Sequence, residues 1–467
     1  MNFLVLDIFY DTSNTQATMK KLVILFLTLG YTSVSFAEIK TNQPETKITP
    51  SVIAAANTEI KLEGFFEYQA GFADQNHLTG LAASITDNKK HTAFYTEAAF
   101  SATIRQQMGE VIGGAKIVLL PTTKPKTSVG YNGSHIFLET DYGKVELGSP
   151  ADAAAKMRIM GGKVTAGSTA WNKYIVFTSD YLKYNLVTPD FDSSDNFYMS
   201  SFTNRFDDMT EKTESARKVS YYTPKIEGFR FGISYIPDTS NTGGNRSLNN
   251  LSNNGPYIGI SKSNTGIARV ILPGNQLAVI NQNVKDAFSA GLTYDKAISD
   301  DLAIQVSLTG EYGKPARNLK LVQMSSSTST GPGKVIENYK LSDLKAYNLG
   351  AVLSYGGFSF GASYGSMGKS LTTPSYHKTG RDTNYYNGAV AYGQGPIKTS
   401  ISYFKSSRYK NTVDSVSLGT EYLVTPGLLP YAEVACFQAK GKPVYYPEAP
   451  NKKTRGTVAI LGAKIKF

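Results

Sequence analysis

The chain is poor in the residues that most site chemistry requires. One cysteine, Cys436, in 467 residues excludes an intramolecular disulfide framework and any multi-cysteine metal site. Four histidines, His77, His91, His135 and His377, are scattered, and the chain has no His-Glu-x-x-His, P-loop or Gly-x-Ser-x-Gly elbow. Past residue 37 no apolar run approaches the ~20 residues of a membrane helix. Lys and Arg outnumber Asp and Glu by 48 to 37, for a net charge of +11, yet they form no block or basic helix, which argues against a nucleic-acid partner. A basic balance then points to anionic membrane or anionic solutes. The single tryptophan, Trp171, acquires no role from its context.

What the chain does have is 30 Tyr, 23 Phe and 42 Gly, a mixture suited to twisted strands with aromatic borders. Ala216–Ile236 sets the pattern. Val219, Tyr221 and Thr223 share one face of a first run; Phe229, Phe231, Ile233 and Tyr235 share one face of a second. Pro224 and Gly228 turn the chain between them. A period of two means strands. The same alternation recurs in Glu59–Phe72, Thr92–Arg105, Val111–Leu120, Ser134–Asp141, Gly143–Ser149, Lys285–Asp295, Asp301–Tyr312, Lys345–Tyr355, Gly357–Ser366, Tyr386–Gly393, Pro396–Phe404, Asp414–Val424, Leu429–Ala439 and Gly456–Phe467. With the two runs of the hairpin the pattern predicts sixteen strands.

The connectors alternate between short and long. The long set is 73–91, 121–133, 149–215, 237–284, 313–344, 367–385, 405–413 and 440–455. Tight turns on one side and long loops on the other, with apolar faces opposed to Ser, Gly and Thr faces, describe an all-β transmembrane antiparallel barrel, greasy outside and polar within. Cys436 falls on the apolar face, where a small hydrophobe is expected. Met19-Lys20-Lys21, the apolar stretch Leu22–Leu29 and Ser35-Phe36-Ala37 form a secretory signal, predicting a start at Met19 and cleavage after Ala37. Residues 38–58 are polar and read as a flexible lead-in, and 59–467 as the barrel.

Three stretches carry a family likeness. Lys-Val-x-Tyr-x-Thr-Pro-x-Ile-x-Gly-Phe at 218–229, His135–Ser149 (HIFLETDYGKVELGS) and the terminal Phe467 resemble the general porins of Gram-negative bacteria. The resemblance implies a sixteen-stranded outer-membrane barrel, assembled as a homotrimer among lipid and lipopolysaccharide, that passes small hydrophilic solutes. It also implies that the connector 149–215 folds inward as a constriction loop, with Asp152, Lys156, Arg158 and Lys163 at the eyelet. The facing wall then takes its charges from the inward faces of the first five strands: Glu63, Glu67, Glu97, Lys116 and Glu146 mid-strand, with Lys61 and Arg105 toward the turns. Many relatives oppose an acidic loop to a basic wall. Here the loop's first half is basic, with Lys156, Arg158, Lys163 and Lys173 against Asp152, and its second half is acidic.

The expected function is passive diffusion, without enzyme activity, cofactor or metal, and with a weak preference for anions from the overall positive charge. The alternative is a structural or adhesive surface barrel whose loops bind host or matrix molecules. An outer-membrane hydrolase would need a Ser/His/carboxylate group at matched depth, and Ser134 with His135 lacks the third member.

Overall fold

The computed structural model describes residues 58–75, 90–120, 130–168, 174, 213, 216–239, 267–272, 276–281, 284–316, 319–323, 334–371, 381–409, 411–441 and 452–467. The signal region, the lead-in up to 57, Trp171, Lys173 and the acidic second half of the long connector from Asp190 to Glu211, with Glu214, lie outside the described residues.

In chain order the strands are β1 (Thr58–Gln75), β2 (Lys90–Met108), β3 (Val111–Leu120), β4 (Gly130–Thr140), β5 (Gly143–Gly148), β6 (Lys218–Tyr222), β7 (Phe229–Asp238), β8 (Ile267–Leu272), β9 (Gln276–Asn281) and β10 (Val284–Ala297). They continue as β11 (Leu302–Pro315), β12 (Leu319–Gln323), β13 (Lys334–Tyr339), β14 (Leu344–Tyr355), β15 (Phe358–Gly368), β16 (Arg381–Gln394), β17 (Ile397–Tyr409), β18 (Asn411–Tyr422), β19 (Leu428–Gly441) and β20 (Lys452–Lys466). All except β8, β9, β12 and β13 form one closed antiparallel barrel of sixteen strands. The ring closes where β1 meets β20 over Phe65↔Lys466 to Gln75↔Gly456. There Gly64 N–H donates to the Phe467 carbonyl (2.9 Å) and Phe467 N–H to that of Gly64 (3.1 Å).

Period-two alternation becomes a two-sided wall. On β14, Leu344, Ala346, Asn348, Gly350, Val352 and Ser354 point inward, while Tyr347, Leu349, Leu353 and Tyr355 are exposed outside. Among the described residues, outward apolar side chains such as Phe66, Ile136, Leu349, Ile401, Leu418 and Leu461 are covered by no second layer and match a lipid environment. Tyrosines and phenylalanines border this band. Phe358, Tyr392 and Tyr355 lie near the turn end, and Tyr235, Phe288, Tyr347, Tyr364, Tyr386 and Tyr403 near the other. Cys436 is on the exposed outer face, as expected. The tight turns use glycine where the backbone must go left-handed, as at Gly356 (φ 55°) and Gly395 (φ 56°).

Three features differ from the sequence reading. Strands run further than the alternation suggested at the long-connector end: β17 reaches Tyr409 and β18 starts at Asn411, so the expected loop 405–413 is mostly ladder, paired from Lys405↔Asp414 to Arg408↔Asn411. Beyond the lipid layer both faces meet similar surroundings, and the alternating signal fades although the ladder continues. The connectors 237–284 and 313–344 each carry a hairpin, β8–β9 and β12–β13, and the two join edge to edge through β9 and β12 in a separate four-stranded sheet. The interior is also less polar than expected at that end. Ile236, Val284, Leu344, Phe404, Phe437 and Val458 point inward and are almost wholly buried, whereas the serines, threonines and charges lie nearer the turns.

Leu418 sits mid-strand on the outer face. Leu418→Arg should lower the stability of the lipid-embedded barrel by about 2–4 kcal/mol, read by denaturant titration in vesicles, while Glu97→Arg on the inner face should change it little.

Candidate functional site

After β5 the chain does not rise away from the barrel; it turns inside. Asp152 stops the turn by capping helix α1 (Ala153–Met157), its Oδ1 accepting from Ala155 N–H at 3.0 Å and from the Ser289 hydroxyl at 2.6 Å. A 3-10 turn at Gly161–Val164 follows. The Lys218 ammonium, buried at the base of the segment, donates to the carbonyls of Pro150 (2.5 Å) and Ala216 (2.6 Å).

From there the segment visits the strands of the inner wall in their order round the barrel. Ala153 N–H donates to Ser234 on β7 (2.9 Å), Ala154 N–H to Ser289 on β10 (2.8 Å) and Ile159 N–H to Ser307 on β11 (2.8 Å). Gly161 N–H donates to Ser363 on β15 (3.2 Å) and to Asn387 on β16 (3.1 Å), and Ala166 N–H to Ser400 on β17 (2.7 Å). Gly167 N–H then reaches Glu421 on β18 (3.3 Å) and Ser168 N–H reaches Glu433 on β19 (3.1 Å). The carbonyls are met by lysines. Lys398 donates to Thr165 (3.3 Å) and Lys464 on β20 to Gly167 (2.8 Å). Tyr174, wholly buried, ends this course against β1, where its hydroxyl donates to Gln69 (3.1 Å).

A segment with irregular backbone survives inside the barrel because these wall groups take the place of the hydrogen bonds that a helix or ladder would supply. Close approach needs an absent side chain behind it. A Cβ on Gly361 would lie 2.5 Å from the Gly161 carbonyl oxygen, one on Gly291 2.8 Å from Met157 Cβ, and one on Gly350 would overlap the Ile159 carbonyl. Serine beside glycine on the inner face is therefore a berth for backbone.

The predicted loop residues have different placements. Asp152 is wholly buried, so it serves as a helix cap and not as a charge at an eyelet. Lys156 pairs with Glu146 of β5 and lies over the Tyr222 ring, 5.0 Å from its centre. Burial pushes the Lys156 ammonium below its ordinary value, and Glu146 opposes that shift. Arg158 faces Glu311 of β11 at 3.7 Å with little exposure. Lys163 is exposed and donates to the side-chain carbonyl of Gln305 at 2.9 Å.

Apart from Glu146 on β5, the predicted wall residues lie on the inner faces of β1–β3, the wall that the segment described above leaves uncovered up to Tyr174. Glu63 pairs with Lys61 (2.5 Å) and Lys116 (3.6 Å). Glu67 accepts from the Tyr431 hydroxyl (2.5 Å) and faces Lys464 at 3.7 Å. Glu97, directly across the ladder from Glu67, is exposed. Arg105 pairs with Glu139 at 2.6 Å. A chain of pairs continues through Lys144, 3.1 Å from Glu139 and 3.3 Å from Glu146, to Lys156, with His135 3.8 Å from Glu146. Glu139, Lys144, Glu311, Glu433, Lys398 and the serine berths were not singled out from sequence. The one signal for the serines was their recurrence on inward faces.

The family described as Gram-negative porin matches residues 48–442. This chain belongs to that family. Family and fold together support a porin-like channel and imply a multi-pass barrel of the outer membrane. Similar chains include an uncharacterized protein of Rickettsia bellii, 58% identical over 96% of this chain and 100% of its own. One from Rickettsia felis is 57% identical with the same coverage. Among solved structures, a mutant of the Rh. blastica porin shares 12% identity at a TM-score of 0.44, over 87% of this chain and 100% of that one.

Gly350→Val should lift the segment off the β14 wall. Trypsin should then cut after Lys156, Arg158 or Lys163 in the folded barrel at least about tenfold faster, since cleavage follows the population of locally opened states; unchanged protection would show that the contact is dispensable.

Proposed function

We propose that this porin is a water-filled channel for small hydrophilic solutes with a weak preference for anions, working by passive diffusion without turnover or cofactor. The observation that carries the anion preference is an asymmetry of exposure inside the barrel. Side chains of Glu139 and Glu146 are 7% and 3% exposed, whereas their partners Arg105 and Lys156 are 32% and 18% exposed. The Lys464–Glu67 pair has the same sense, 22% against 9%. Acids are sunk into the wall and bases stand over them, so a passing ion meets positive charge first. Lys163 adds an exposed cation bonded to a neutral amide. Charges in a narrow lumen interact more strongly than in bulk water, which turns this arrangement into selectivity. Glu63 and Glu97 remain as exposed acids and keep the preference weak.

On this reading Lys156 and Lys163 border the passage on one side, with Arg158 sunk against Glu311, and Glu63, Glu97, Arg105 and Lys116 border it on the other. The segment from Met19 to Ala37 directs export, with cleavage after Ala37. Assembly is as a homotrimer among lipid and lipopolysaccharide.

In planar bilayers under a KCl gradient the refolded protein should give a reversal potential of the anion-selective sign. Glu97→Gln should enlarge it, and the double change Lys163→Gln with Arg105→Gln should shrink or reverse it. Cation selectivity of the unaltered protein would refute the preference. Liposome swelling in small sugars tests the channel itself, since an adhesive barrel with a closed lumen would not swell.

A further inference from the structure

The pairing register places basic residues in a single cross-strand row on the uncovered wall. Lys61 on β1 is opposite Thr103 on β2, Thr103 is opposite Lys116 on β3, and Lys116 is opposite His135 on β4. Opposed side chains in a ladder have Cβ atoms about 4.5–5.5 Å apart, and like charges so placed repel. Lys61 and Lys116 are not directly opposed but stand two strands apart with Thr103 between them, so one anion can reach both ammonium groups. The protein supplies one. Glu63, one step along β1 on the same face, bridges both lysines, 2.5 Å from Lys61 Nζ and 3.6 Å from Lys116 Nζ. Its geometry is that of a carboxylate held by two ammonium groups, which is how a solute oxyanion would be held.

This carboxylate differs from the buried acids Glu139 and Glu146. Glu139 and Glu146 are sealed under their partners, but Glu63 is 40% exposed, with Lys61 at 47% and Lys116 at 32%. Both lysines can therefore be reached from the lumen, and Glu63 can swing away into water at small cost, since exposed ion pairs contribute only about 0–1 kcal/mol. Behind the row, Lys144 and Lys156 both pair with Glu146, so that carboxylate is already occupied when Glu63 leaves.

We propose that Lys61, Thr103 and Lys116 form a docking station for solutes carrying two or more negative charges on oxyanion groups, with Glu63 as a resident counter-anion that the solute displaces. The inference rests on the channel reading and deepens it by naming a solute class. A multivalent oxyanion spans both ammonium groups at once and replaces Glu63; chloride or a monocarboxylate meets only one and does not. Carboxylate and phosphate oxygens share this chemistry.

The test is block of the KCl current through the refolded, full-length barrel by inorganic pyrophosphate, citrate and acetate. Pyrophosphate and citrate should block and acetate should not; block by one alone identifies the favoured oxyanion. Lys61→Gln with Lys116→Gln should raise the half-blocking concentration about tenfold, as expected for losing charge-assisted contacts. Glu63→Gln should lower it, because the competitor is gone, and that gain distinguishes displacement from mere loss of positive potential. Lys405→Gln, on the outer face, should leave block unchanged. Equal block in the double lysine variant, or weaker block in Glu63→Gln, overturns the proposal. If the protein carries no current, the channel reading falls first. Calorimetric titration of pyrophosphate into the same barrel then decides the station separately, and heat that persists in the double lysine variant overturns it.

Discussion

Backbone amides and carbonyls have no water to turn to inside a bilayer, and the rest of the architecture follows from that constraint. Sixteen strands meet it by pairing around a ring, and the ring holds only because β1 and β20 accept each other. The outer face is then free to be as apolar as lipid demands, and the inner face need not be. What soluble proteins do with a core, this chain does with closure.

The segment from Pro150 to Ser168 faces the same constraint without a ladder. It has one short helix and one 3-10 turn, so seven of its amides look outward for partners. The wall provides them as hydroxyls from Ser234, Ser289, Ser307, Ser363 and Ser400 and as carboxylates from Glu421 and Glu433. Each is a modest bond, worth about 0.5–1.5 kcal/mol net, but they are distributed over seven strands. The path of the segment is thereby tied to the register of the whole barrel. Polarity divides the lumen accordingly, with charge networks on the side the segment leaves open and backbone berths on the side it covers.

Much of the barrel was legible because alternation is a local signal: apolar Phe288, Ala290, Leu292 and Tyr294 against Ser289, Gly291 and Thr293 need no knowledge of the neighbours. Strand ends were less so, since β17 and β18 continue where both faces meet water. The β9–β12 pairing was invisible, because it joins connectors whose only link is spatial. Inside, Lys156, Arg158 and Lys163 were found as a basic cluster, yet their individual situations were not. Lys156 meets Glu146 and Arg158 meets Glu311, 153 residues apart, only once the ring has set their depth. Asp152 shows the limit most plainly, for an aspartate before Ala153-Ala154-Ala155 reads equally as a lumen charge or a helix cap. The serines that hold the segment lie 81 to 234 residues from their partners, beyond any local pattern.

The small sheet formed by β8, β9, β12 and β13 ties the connector between β7 and β10 to the one between β11 and β14. Neither hairpin is independent of the other. Deleting one would strip the inner edge of its neighbour and leave unpaired N–H and C=O groups in a row, the usual template for sticking to other chains. Insertions and deletions in these two connectors are thus constrained jointly, and grafting a foreign epitope into one of them would have to respect the β-edge presented by its companion.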